Sequence, residues 1–109
     1  MRIAIPVWNG RVSPVFDVAR RVHVFDVARE TSTIQTSRTV EVEKPATAIA
    51  ALGIDVVICS AISLVQEAAL RRSGVEVISG VCGPADAIAA DFAAGDTDLA
   101  RFRAPGCGD

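Results

Sequence analysis

Side chains suited to soft-metal or acid-base chemistry are scarce in this chain. Its 109 residues include three cysteines (Cys59, Cys82 and Cys107), one histidine (His23), one tryptophan (Trp8) and no tyrosine. The cysteines form no C-x-x-C pair and have no zinc-finger spacing, so an odd set of three reads as free thiols or soft ligands, not as a disulfide framework. No apolar run approaches the roughly 20 residues of a membrane span. Met1 to Val7 reaches Pro6 too early for the core of a secretory signal, and Arg20-Arg21 lacks the hydrophobic run that an export signal needs. The expected location is therefore cytoplasmic and reducing. Neither a glycine-rich phosphate loop nor a Ser-His-Asp set is present.

Half the residues are hydrophobic, 22% are charged and the net charge is −2. A chain of this length buries roughly 60–65% of its unfolded surface around one core. The charge balance is not the basic one of a nucleic-acid binder, so nucleic acid and membrane are not expected partners.

β-branched residues dominate the first half, and alanine-rich segments alternate with short apolar runs from Pro45 onward. Ile3, Ile5 and Val7 alternate in a first strand, with Pro6 marking its end because proline lacks the ladder donor. Asn9-Gly10 signals a turn, and Arg11 to Arg21 reads as a long loop with a helical turn near Asp17. Strand two runs from about Val22 to Val27, and strand three covers Thr33 to Val42. Pro45 opens a short helix that Gly53 closes. Asp55 to Cys59 is a strand covered on both faces. Ser63-x-x-Gln66 caps a helix with Leu64, Val65, Ala68 and Ala69 inward. Val75 to Ser79 forms a fifth strand, and Gly83-Pro84 starts a helix carrying Ile88 and Phe92.

With right-handed crossovers, this element order predicts an α/β, ribonuclease-H-like three-layer fold. Its mixed five-stranded sheet has the order 3-2-1-4-5, with strand two antiparallel to the rest. Residues 1–100 are expected to form a single domain and 101–109 a flexible C-terminal tail. The pentapeptide Phe-Asp-Val-Ala-Arg occurs at 16–20 and again at 25–29; two copies, one in a loop and one in a strand, make no repeat architecture.

In such a sheet, ligands bind beyond the carboxyl ends of the parallel strands. Three segments converge there: the loop holding Trp8, Arg11 and Ser13; Cys59-Ser60-Ala61; and Gly80-Val81-Cys82-Gly83. The last two lead into helix N-termini, which favour an anion and lower a thiol's pKa. Cys59 and Cys82 are therefore candidate soft ligands on one rim, with Cys107 reaching it from the tail. Against this, free cysteine is among the most buried residue types. His23 reads as a packed strand residue and Trp8 as either lid or core. Strand one carries no carboxylate, which argues against a metal-dependent nuclease.

Ile3-Ala4-Ile5-Pro6-Val7, Gly10-Arg11-Val12-Ser13-Pro14-Val15-Phe16, Gly53 to Cys59 and Gly74 to Gly80 together resemble the dinitrogenase iron-molybdenum cofactor family. Phe102 to Cys107 is similar to the tail of one of its branches. The resemblance implies a non-catalytic carrier of iron-molybdenum cofactor, its iron-sulfur precursor or a related molybdenum- or copper-containing sulfide cluster. Cofactor-synthesis or recipient proteins would be its partners. Val15 stands where many members have histidine, so cysteine would substitute in holding the cluster. Two other readings are a regulatory or scaffolding interaction module and a small thiol enzyme; the thiol enzyme lacks a nearby base.

Overall fold

A computed structural model describes residues 1–103. Six strands, β1 (Arg2–Trp8), β2 (Arg11–Val12), β3 (Arg21–Ala28), β4 (Thr33–Glu41), β5 (Val56–Ile58) and β6 (Glu76–Ile78), accompany three helices, α1 (Pro45–Ala51), α2 (Leu64–Arg72) and α3 (Ala85–Ala93). The main sheet runs β4-β3-β1-β5-β6, and β2 pairs only with β1. β3 is antiparallel to both its neighbours, while β1, β5 and β6 are mutually parallel. The chain is thus an α/β fold built on a mixed sheet with three helices.

Alternation along the strands makes two cores. Ile3, Ile5, Phe25, Val56 and Ile58 face α3, where they meet Ile88, Ala89 and Phe92. Ala4, Val22, Val24, Val57 and Cys59 face the opposite side, where Ile49 of α1 and Leu70 of α2 close the layer. Each fully buried isoleucine contributes about 1.5–3 kcal/mol relative to exposure. The repeated pentapeptide buries its phenylalanine in both settings, Phe16 in a 3-10 turn and Phe25 in β3.

Pro6 does not end β1, contrary to the expectation from its missing donor. The Arg2 amide donates to the Asp55 carboxylate and the Arg2 carbonyl accepts from the Asp55 amide. By the two-residue period, the Pro6 nitrogen points to that same side, beyond the last paired residues Ile3 and Ala4. No ladder bond is lost there, and the Pro6 carbonyl accepts from Ser13. The strand therefore continues into a two-residue hairpin, with Asn9 (φ 53) and Gly10 (φ 76) both left-handed as a type I′ turn requires. Part of the expected long loop is this hairpin's return strand, β2.

The inward face of α2 also differs from expectation. Leu64 and Val65 are 83% and 75% exposed. Of the residues expected inward only Ala69 is half-buried; the inward stripe follows half-buried Ile62, Gln66 and Ala69 and buried Leu70, at the i, i+4, i+7, i+8 spacing of one helix face. It begins before the helix does, so a count started at Leu64 selects the wrong side.

Arg2 pins the sheet at its other end. Its Nε donates to Asp26 at 2.7 Å and its Nη1 to the Leu52 carbonyl. The Arg2 bond, helped by the Thr36 hydroxyl, holds the Asp26 carboxyl below its ordinary range. Residues Ala100–Phe102 form a 3-10 turn and Arg103 is bonded to the Ser79 carbonyl, so the chain is still packed on the fold where the tail was expected to begin.

Candidate functional site

The loops at the carboxyl ends of β1, β5 and β6 are tied together through their backbones. Val12 donates to Gly83 O, and Ala85 at the start of α3 donates to Gly10 O. Phe16 donates to Ala61 O while Ala61 donates to Pro14 O, and Gly80 donates to Ser60 O. The hairpin loop therefore spans both neighbours, bringing Arg11, Ser60, Ala61, Gly80, Cys82 and Gly83 to one end of the molecule. Backbone bonds fix this rim, so its shape does not depend on mobile side chains.

Within the rim, Ser60 Oγ and Cys82 Sγ lie 3.5 Å apart, both half-buried. The loop carrying Cys82 is held from behind: its amide donates to Phe102 O, and Arg103 Nη1 donates to Ser79 O at 2.7 Å. Gly83 (φ 130) is required on two counts, because a Cβ there would lie 3.2 Å from the Phe102 ring in a conformation that side chains rarely adopt. Arg11 is exposed at the hairpin and makes no ion pair among the described residues.

Cys59 is not a rim ligand. Its backbone borders the rim, with Val81 donating to its carbonyl, but its side chain is fully buried in the core beneath α1 and α2. Burial, reinforced by the Glu67 and Asp17 carboxylates, pushes its thiol up to about 12. The expected lowering of its pKa by a helix N-terminus is overridden by desolvation, so Cys59 is a thiol at neutral pH.

The α2 N-terminus is already served by an anion from this chain. Asp17 accepts from the Ser63 amide at 3.0 Å and from its hydroxyl at 2.6 Å, while Ser63 Oγ accepts from Gln66. Sequence reasoning left Asp17 without a role. The Ser-x-x-Gln pattern located the cap, but its carboxylate partner lies 46 residues away with no local signal.

Trp8 and Ser13 line a different cavity from the Ser60–Cys82 rim. This cavity, of about 700 Å³, is bounded by Val18, Arg20, Arg21 and Glu43. Ser13 is buried and Trp8 is 67% exposed, so Trp8 is not a core residue. His23 stacks on Phe25 with ring centroids 4.4 Å apart and has Nδ1 at 3.9 Å from Asp86, consistent with packing. Cys107 lies outside the described residues. Among those residues no group of three or more His, Cys, Asp or Glu gathers as a metal cage, and no helix is long and apolar enough to cross a membrane.

Comparison with known proteins adds three structural likenesses. PH0822 in its crystal structure is similar with a TM-score of 0.79 and 24% identity, covering 92% of this chain and 98% of that one. The provisionally assigned dinitrogenase MJ0327 of Methanocaldococcus jannaschii is similar at 0.74 and 15%, covering 88% and 90%. The apo form of the orange protein from Desulfovibrio gigas is similar at 0.56 and 22%, covering 72% and 73%. These likenesses concern the fold alone. No curated protein sequence matches. A family model described as dinitrogenase iron-molybdenum cofactor matches residues 1–95. With most of its length accounted for in this way, the chain belongs to the dinitrogenase iron-molybdenum cofactor family.

Proposed function

We propose that this protein binds and carries a metal-sulfide cluster of the iron-molybdenum cofactor kind, and that it does so without catalysis in a ribonuclease-H-like fold. The observation that carries the reading is the Ser60–Cys82 contact on a rim fixed by backbone bonds. Metal-sulfide clusters are soft and anionic. In the structure Cys82 is disulfide-bonded, not the free thiol expected from the sequence; once that bond is reduced it offers a sulfur donor, beside the Ser60 hydroxyl and Arg11, a cation that no carboxylate of the described residues neutralises. With one half-buried sulfur and no cage of ligands among the described residues, the hold is mainly through hydrogen bonds and charge. That suits cargo that must leave again.

A second reading rests on a different observation. Trp8, Val15, Val18, Leu64 and Val65 are the large exposed hydrophobic residues among those described, and they lie at the end of β1, in or just before the 3-10 turn after β2, and at the start of α2. Such a set favours a protein-interaction module.

Anaerobic titration of the reduced protein with an iron-thiomolybdate cluster, followed by visible absorption, separates the two. Saturable spectral change, weakened about tenfold in Arg11→Gln, supports carriage. An unchanged cluster spectrum with the wild-type protein leaves only the interaction module.

A further inference from the structure

The cavity beside Trp8 is not used by the proposed cargo rim, and its chemistry differs. Its apolar surface comes from Val7, Val18, Ala19 and Val42, with the Trp8 ring at its mouth. Two arginines and two glutamates supply the charge. Arg21 and Glu41 approach to 3.7 Å across β3 and β4 and offset each other. Arg20 and Glu43 make no ion pair among the described residues, although their chain segments touch where Val42 donates to Arg20 O at 2.9 Å. Among the described residues, one cation and one anion thus line this cavity without an ion-pair partner.

A simple anion drawn to Arg20 would meet Glu43, and a simple cation would meet Arg20. A ligand bearing both charges satisfies the two together. The cavity also adjoins an apolar groove of about 420 Å³ along α1, reaching Ala48 and Leu52, and the two share Glu41, Val42 and Glu43. An elongated body is therefore accommodated. About 700 Å³ falls within the roughly 300–1,000 Å³ range of small-ligand pockets.

We propose that this cavity binds a small zwitterion with an apolar body, of the size and chemistry of a dipeptide with aliphatic side chains. Its carboxylate pairs with Arg20 and its ammonium with Glu43, while its side chains lie against Trp8, Val18 and Val42. The proposal does not depend on cluster carriage.

Trp8 is the only tryptophan and the chain has no tyrosine, so intrinsic fluorescence reports on this cavity directly. The intact protein is titrated with leucyl-leucine and with its N-acetyl, amide and doubly blocked forms. The zwitterion is expected to give a saturable change in Trp8 emission, with about tenfold weaker binding for each single blockage. Arg20→Gln should bind leucyl-leucine about tenfold more weakly and no longer distinguish it from leucyl-leucinamide. Glu43→Gln should lose the distinction from N-acetyl-leucyl-leucine. Absence of saturable change with leucyl-leucine overturns the proposal. So does equal binding of the doubly blocked form, or unchanged binding by both variants.

Discussion

Two cysteines that border the same rim differ in state and setting: Cys59 is a buried free thiol, whereas Cys82 is disulfide-bonded and half-buried. Cys59 follows the alternation of β5 and falls with Val57 on the face packed by α1 and α2, whereas Cys82 sits in a loop and stays half-buried. With its pKa raised from 9.0 to about 12, Cys59 favours folding while it remains a thiol. That contribution is complete below the unfolded-state value and is lost as pH rises from about 9 toward 12. Unfolding titrations should show an alkaline loss of stability that is reduced in Cys59→Ala. Iodoacetamide at pH 8 should leave Cys59 unmodified in the folded protein. Rapid alkylation there would contradict the burial described.

At the scale of elements, the 3-10 turn after β2 and the start of α2 act as one unit through Asp17 and Ser63. Removing the carboxylate in Asp17→Ala leaves the Ser63 amide without its protein acceptor, which should cost about 1–2 kcal/mol in denaturant unfolding. A loss confined to a few tenths would mean that water replaces Asp17 fully. The local signals of the sequence served well where one neighbour decides the outcome: Asn9-Gly10 for the turn, Pro45 for the start of α1, Ser63 for the cap, and Ile88 with Phe92 for the buried face of α3. They failed where a distant element decides. Nothing near Pro6 says which side its nitrogen faces, because β5 is roughly fifty residues further on. Nothing within α2 says that its inward stripe starts at Ile62. The candidate site was legible in the same measure. The three loops were found from topology, while the direction of the Cys59 side chain and the placement of Trp8 with Arg20 and Glu43 depended on packing between remote segments.

At the scale of the molecule, both cores are used up in holding the sheet between helices, and the chemistry is confined to one end. There the backbone lacing of three loops makes a rim with one half-buried sulfur, one hydroxyl and one arginine, and the thiol beneath it is insulated by the core. Under the proposed function, Cys82 holds cargo once its disulfide is reduced, while Cys59 serves the fold. The most direct test is metal retained per protein after anaerobic loading of reduced protein with an iron-thiomolybdate cluster and gel filtration, compared across wild type, Cys59→Ala and Cys82→Ser. The account predicts equal retention by wild type and Cys59→Ala and about a tenfold loss in Cys82→Ser. Retention by wild type no greater than by an unrelated protein of the same size, or loss in Cys59→Ala with retention in Cys82→Ser, would contradict it.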